Sequence, residues 1–265
     1  MAVLNITPDS FSDGGKLFEK QASFDAILSH ADYCLAEGAT ILDVGGESTR
    51  PGAAPVSESE ELDRVVPVVE ALSARFDAVI SVDTSTPNVM IESAAHGARI
   101  INDVRALLRE GAMAAALKTG LPVCLMHMQG TPQTMQNQPT YGGDAVDDVY
   151  QWLMTRVDVC RDAGLTTDQL LLDPGFGFGK TFEHNVALFR SLDRFIQSGY
   201  PVLVGVSRKT MIGDMTGRLV EQRVTGSAVA AAVAASQGAA ILRVHDVAET
   251  RDAMAVMQTL TQGMQ

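Results

Sequence analysis

Short apolar runs rich in Val, Ile and Leu recur along the chain, and most are reached soon after a glycine that ends a helix-sized segment. Gly38 precedes residues 40–44, Gly97 precedes 99–101 and Gly120 precedes 122–126. Gly164 precedes 170–172, Gly199 precedes 201–206 and Gly238 precedes 240–244. A glycine just past a helix end supplies the left-handed position that closes it. With residues 3–6 and 79–82 this makes eight expected strands; seven helix-sized segments separate them and an eighth, 248–261, follows. Strands alternating with helices imply a parallel sheet, and nearly continuous apolar runs suit strands covered on both faces. Eight such units in one unbroken chain favour a closed (β/α)8 TIM barrel of the α/β class over an open doubly wound sheet, with residues 1–265 as a single domain.

The helical segments carry their own signals. Ser57-Glu58-Ser59-Glu60 reads as a capping box, followed by an apolar stripe of Leu62, Val65, Val66, Val69 and Leu72 with Pro67 as an expected kink. Thr86 reads as an N-cap with Pro87 at the first helical position.

Composition narrows the function. A length of 265 residues fits one α/β barrel, which typically needs about 250. A net charge of −12 argues against nucleic acid or an anionic membrane as partner. Three scattered cysteines, Cys34, Cys124 and Cys160, suggest reduced thiols and a cytoplasmic protein rather than a disulfide framework. No apolar run approaches the roughly 18 residues of a spanning helix, and no basic segment precedes an apolar one at the N-terminus, so neither membrane span nor signal peptide is expected.

Residues 170–181, Leu-Leu-Leu-Asp-Pro-Gly-Phe-Gly-Phe-Gly-Lys-Thr, join a buried strand to a glycine-rich loop. Gly179-Lys180-Thr181 fits the end of a Walker A phosphate loop, but Pro174 stands where its first glycine belongs, so the match is weak. The wider pattern is stronger. Every expected strand ends in polar or charged residues: Asn5; Asp43 then Glu47; Asp83; Asn102 and Asp103; His127; Asp173; Ser207, Arg208 and Lys209; Arg243 and His245. In a barrel these ends converge on one face, where such enzymes build their sites. One Asp at a strand end is more often a cap than a site residue; eight strands of eight exceed what capping explains.

The signs divide that face. Arg208, Lys209, Arg243 and His245 follow the last two strands, and Arg50 lies in the second loop of an otherwise acidic chain. They point to an anionic ligand, with ion pairing to neighbouring loops as the alternative. Asp83, Asn102 and Asp173 offer acceptors and an amide to a neutral heterocycle rich in N–H donors.

At these residues the chain resembles the dihydropteroate synthase family over essentially its whole length. The resemblance rests on residues 4–15, Leu-Asn-Ile-Thr-Pro-Asp-Ser-Phe-Ser-Asp-Gly-Gly, and 43–52, Asp-Val-Gly-Gly-Glu-Ser-Thr-Arg-Pro-Gly. Val82-Asp83-Thr84, Ile101-Asn102-Asp103, residues 173–180, Ser207-Arg208-Lys209 and Arg243-Val244-His245 add to it. It implies condensation of (7,8-dihydropterin-6-yl)methyl diphosphate with 4-aminobenzoate to give 7,8-dihydropteroate, in folate biosynthesis. It implies that Asp83, Asn102, Asp173 and Lys209 hold the pterin, with Met126 and Arg243 packing around its ring and Gly177 in the adjoining loop. Asn5 would ligate Mg²⁺. Thr49, Arg50, Arg243 and His245 would contact the diphosphate, and Pro51, Phe178, Ser207 and Arg208 would shape the aminobenzoate pocket. Asp83, Lys209, Arg243 and His245 are the expected catalytic group. The same resemblance implies a homodimer and sensitivity to sulfonamides, the latter through Phe11, Pro51 and Arg208.

Two other readings compete. A reduced-folate-binding methyltransferase acting on a corrinoid would share the barrel and the pterin carboxylates, but would not require the Thr-Arg-Pro-Gly loop or the cations of the last two strands. A silent pterin-binding paralogue is disfavoured by Asn5 and Lys209. Cys124 and His127, three apart on a strand, point to opposite faces and do not suit a shared metal. His127 reads as a core histidine, and His30, His96 and His184 as solvated helical ones. Family members usually carry a hairpin ahead of the first strand that plugs the barrel bottom; here Met1-Ala2 begins almost on the strand, so that hairpin is expected to be absent or trimmed.

Overall fold

The computed structural model describes residues 1–6, 20–48, 56–130 and 141–262. Strands β1 (Ala2–Asn5), β2 (Ile41–Gly45), β3 (Val79–Asp83), β4 (Ile100–Asp103), β5 (Val123–Met126) and β6 (Leu170–Asp173) pair in chain order, all parallel. β7 (Leu203–Val204) pairs with β8 (Ile241–Leu242) in the same sense. Single bridges join the two sets, Leu172 to Val202 and Ala2 to Val244. At the second junction Val3 N–H donates to the Val244 carbonyl at 3.1 Å, and Val244 N–H to the Met1 carbonyl at 3.0 Å. The eight strands therefore close into the expected barrel, which leaves no sheet edge unpaired.

The last two strands are shorter than their apolar runs. Pro201 has no N–H to give a ladder, and beyond Val206 the chain turns outward with Arg208 at φ +57°.

Helices α1 (Lys20–Ala36), α2 (Glu58–Arg75), α3 (Pro87–Ala95), α4 (Ala112–Thr119) and α5 (Ala145–Ala163) follow the first five strands. The next two connections hold two helices each: α6 (Phe182–Arg190) with α7 (Leu192–Ile196), then α8 (Thr210–Thr216) with α9 (Val224–Gln237). α10 (Val247–Gln262) comes last. α7 and α8 are too short to display a helical period, which hides them from a pattern reading. The six glycines expected to close helices all take positive φ.

Only half of the capping box on α2 forms. Ser57 Oγ accepts from Glu60 N–H at 3.3 Å, but the Glu60 carboxylate pairs with Arg64 one turn on. Thr86 is the N-cap of α3 by backbone, yet its hydroxyl donates to buried Glu61 instead of capping. Pro67 lies inside an unbroken α2.

Alternation along each strand decides what reaches the barrel axis. Leu42, Val44, Ile80, Val82, Ile101, Val123, Leu125, Leu170 and Leu172 join the main core beneath the helices. Their neighbours point inward: Cys124 and Leu171 pack with Leu203 in a small interior cluster. In register with that set are Asp43 beside Ser81, Asp83 beside Asn102, and Met126 beside Asp173. The interior is thus apolar toward the strand starts and polar toward their C-terminal ends.

Candidate active site

Arg243, directly after β8, reaches across the barrel mouth. Its Nε lies 2.6 Å from Asp43 Oδ2 and its Nη2 2.7 Å from Asp83 Oδ2. Asn102 Nδ2 donates to the same Asp43 oxygen at 3.1 Å. Because an ionised carboxylate only accepts, the Asn102 amide must turn its NH₂ toward Asp43, which leaves its carbonyl oxygen as acceptor for a ligand. Asp43 is fully buried, and its other oxygen has no partner among the described residues.

Opposite stands Asp173, whose Oδ1 accepts from Gly175 N–H at 2.7 Å. Lys209 Nζ donates to the Phe176 carbonyl at 2.5 Å and lies 4.7 Å from the centre of the Phe178 ring. Burial raises Asp173 above the usual carboxylate range, with the Lys209 charge pulling the other way. Burial also pushes Asp83 up to about 7; Arg243 opposes this, while Asp43 adds to it. Lys209 falls to about 8, through burial against the pull of Asp173. For Arg243 burial acts downward, but Asp43 and Asp83 overrule it and hold the guanidinium charged. The mouth holds acceptors and donors under electrostatic tension that a ligand with matching N–H groups would relieve.

The other side of the mouth comes from the segments after β7 and β8. His245 Nδ1 lies 3.0 Å from Ser207 Oγ, and His245 N–H donates to the same oxygen at 3.2 Å. Arg208 N–H donates to Ser227 Oγ at 2.8 Å, and its guanidinium is paired with Asp246. Ion pairing to a neighbouring loop therefore accounts for Arg208, and carboxylate pairing for two of the Arg243 nitrogens. Arg243 Nη1 remains uncommitted among the described residues.

A model of the pterin binding enzyme family matches residues 1–245. The dihydropteroate synthase of Escherichia coli (strain K12) is 54% identical over 258 residues, covering 97% of this chain and 90% of that one. The chain belongs to the dihydropteroate synthase family. A Yersinia pestis dihydropteroate synthase, solved as a sulfonamide drug complex, superposes with a TM-score of 0.93 at 52% identity, covering 99% of this chain and 94% of that one. The Xanthomonas albilineans dihydropteroate synthase in complex with 7,8-dihydropteroate superposes with a TM-score of 0.88 at 45% identity, covering 100% and 94%.

Within this synthase-family barrel, the residues expected around a pterin do gather. Asp83, Asn102, Met126 and Asp173 face inward at neighbouring strand ends, with Lys209 and Arg243 between them. Asn5 ends β1, and Ser207, Arg208 and His245 form the opposite bank. Thr49, Arg50, Pro51 and Phe11 lie outside the described residues. Asp103 faces away: its carboxylate caps the turn after β4, accepting from Arg105 and Leu107 N–H at 2.9 and 2.7 Å. His96 Nδ1 lies 2.8 Å from the Glu92 carbonyl, and His184 helps cap α6.

Asp43 is the residue missed by expectation. It was visible as a strand-end carboxylate, and the inward alternation of β2 is the signal that would have placed it beneath Arg243. Two of the glycines after Asp173 are required by backbone packing. A Cβ on Gly175, at φ +70°, would lie 1.9 Å from the His127 carbonyl oxygen, and one on Gly179, at φ +65°, 2.7 Å from that of Gln129. They let the loop press on the segment after β5.

For a metal, the donor set is sparse. Asn5 offers one hard amide oxygen, and no group of three His, Cys, Asp or Glu side chains among the described residues forms a cation cage. A single oxygen donor at the mouth fits a Mg²⁺ that keeps water and shares substrate phosphates.

Proposed function

We propose that this chain, as one pterin-binding domain, condenses (7,8-dihydropterin-6-yl)methyl diphosphate with 4-aminobenzoate to give 7,8-dihydropteroate and diphosphate. The observation that carries the reading is the acceptor set of Asp83, Asn102 and Asp173 at the mouth of a barrel belonging to this family, with Lys209 and Arg243 as their counter-charges. A dihydropterin presents ring N–H and amino donors along one edge and acceptors beside them. Asp173 and the Asn102 carbonyl accept from that edge, Lys209 donates to it, and Met126 and Arg243 pack around the ring.

The reaction breaks the methylene C–O bond and forms a C–N bond at the same carbon. The leaving diphosphate takes the bonding electron pair, and the arylamine supplies its lone pair and then loses a proton. Positive charge building on the methylene is spread into the ring, where the inward carboxylates favour it. An arylamine is neutral at pH 7, so the site needs no strong base beside it. Thr49, Arg50, Arg243 and His245 receive the diphosphate. A Mg²⁺ held by Asn5 would supply further charge stabilisation to the leaving group. Pro51, Gly177, Phe178, Ser207 and Arg208 border the aminobenzoate, and sulfonamides compete there.

A homodimer fits the same reading. A groove of about 870 Å³ runs outside the barrel between α6, α8 and α9, lined by Phe189, Met211, Met215, Val229 and Val233. Met215, Val229 and Val233 are 51%, 56% and 41% exposed, which a second subunit would cover. Sedimentation at micromolar concentration tests it. No described helix is long and apolar enough to cross a membrane, and we place the enzyme in the cytoplasm with its small-molecule substrates.

The deciding assay is diphosphate release from the pterin substrate that depends on added 4-aminobenzoate and Mg²⁺. Release without aminobenzoate dependence, or none at all, overturns the proposal.

A further inference from the structure

The near-Walker lysine is not used by the chemistry above, yet it is deeply enclosed, and burial draws its ammonium well below the ordinary lysine range against the pull of Asp173. Lys180 is 5% exposed. Its Nζ lies 2.9 Å from His127 Nδ1, 3.3 Å from the His127 carbonyl, 2.9 Å from that of Gly175 and 3.0 Å from that of Phe178. Four acceptors around one ammonium leave no N–H for a phosphate. His127 is buried and drawn down to about 2, by burial first and then by the Lys180 charge. Because an ammonium only donates, the tautomer that fits this contact carries its proton on Nε2 and accepts at Nδ1.

Other contacts hold parts of the loop independently. Asp173 is fixed by the ladder of β6 to β5 and by His127 N–H to its carbonyl at 3.0 Å. The Phe176 ring is fully buried against Phe189. Phe178 has no such anchor. Its backbone is held by its N–H to the Gly175 carbonyl at 3.1 Å and by its own carbonyl on Lys180, which also grips Gly175. The half-buried Phe178 ring then lies beneath the Lys209 ammonium.

We propose that Lys180 is a positioning residue for the second substrate. It fixes the Gly175–Phe178 turn to the end of β5, and through it sets the Phe178 ring that borders the aminobenzoate. The inference rests on the synthase reading. Because Asp173 and Phe176 are anchored separately, loss of Lys180 falls on aminobenzoate more than on pterin.

The test is a double-mutant cycle of Lys180→Met and Phe178→Ala in the full chain, with steady-state kinetics for both substrates and thermal melts of each variant. Lys180→Met removes the donor shared by four acceptors, an effect of about tenfold expected in KM for 4-aminobenzoate. KM for the pterin substrate should change less than about threefold. The aminobenzoate losses of the two variants should fail to add, as for residues acting as a unit. Equal losses for both substrates, additive losses, or an unchanged aminobenzoate KM overturn the assignment. If Lys180→Met does not fold, Phe178→Ala and Phe178→Leu with Lys180→Arg carry the same cycle. An inactive wild-type chain would refute the synthase reading; an active one with additive losses refutes only the role of Lys180.

Discussion

Arg243 Nε and Asp43 Oδ2, 200 residues apart in sequence, meet at 2.6 Å across the barrel mouth. That bond organises the site, because the same Asp43 oxygen also holds the Asn102 amide. Asp43→Asn would weaken the grip on Arg243 and let the Asn102 amide turn over, presenting NH₂ where the ligand needs an acceptor. Pterin affinity should fall about tenfold to a hundredfold, by the roughly 1.5–3 kcal/mol of a charged hydrogen bond. Calorimetric titration with a pterin ligand reads this directly, and an unchanged Kd would remove Asp43 from the site.

Lys209 joins the two banks of the mouth. Lys209→Ala removes a donor near Asp173 and the cation over the Phe178 ring. Its expected cost is again about tenfold to a hundredfold in affinity for the pterin substrate. The same titration checks it, and unaltered binding would make Lys209 a purely structural ion-pair partner.

The activity should be bell-shaped in pH. Asp83 must be ionised to accept from a pterin, and its carboxyl is held up to about 7. Lys209 must be protonated to donate, and it is brought down to about 8. kcat/KM for the pterin substrate therefore rises through about 7 and falls above about 8, as a property of the coupled cluster. The stability sign for Asp83 is opposite to that of an ordinary paired carboxylate. Its proton is held more tightly in the folded chain, so stability falls as pH rises from about 4 toward about 7. A flat rate profile between 6 and 9 would contradict this assignment.

Gly175 tests the loop. Gly175→Ala puts a Cβ 1.9 Å from a backbone oxygen at a left-handed φ, and neither can be relieved by a side-chain shift. A loss of at least about 2 kcal/mol is expected from urea unfolding, with a larger loss in pterin affinity because Asp173 accepts from Gly175 N–H. Gly143 has no atom within 4 Å of its added Cβ and no left-handed φ, so Gly143→Ala serves as the control, with little change.

The sequence alone determined the barrel, the strand order and the polar set at the strand ends. Those follow from local causes: glycines that close helices, apolar runs of strand length, and the convergence that a parallel barrel imposes. It also brought Asp83, Asn102, Asp173, Lys209 and Arg243 into view as one group. Only the tertiary structure decided how these charges are spent. Asp43 and Asp103 look alike as strand-end carboxylates, but one points inward beneath Arg243 and the other outward to cap a turn, because alternation within each strand and register between strands fix the direction. Gly179-Lys180-Thr181 looked like a phosphate loop until the chain folded; the four acceptors around Lys180 come from three separate residues, His127 among them 53 positions away, and no local pattern records them.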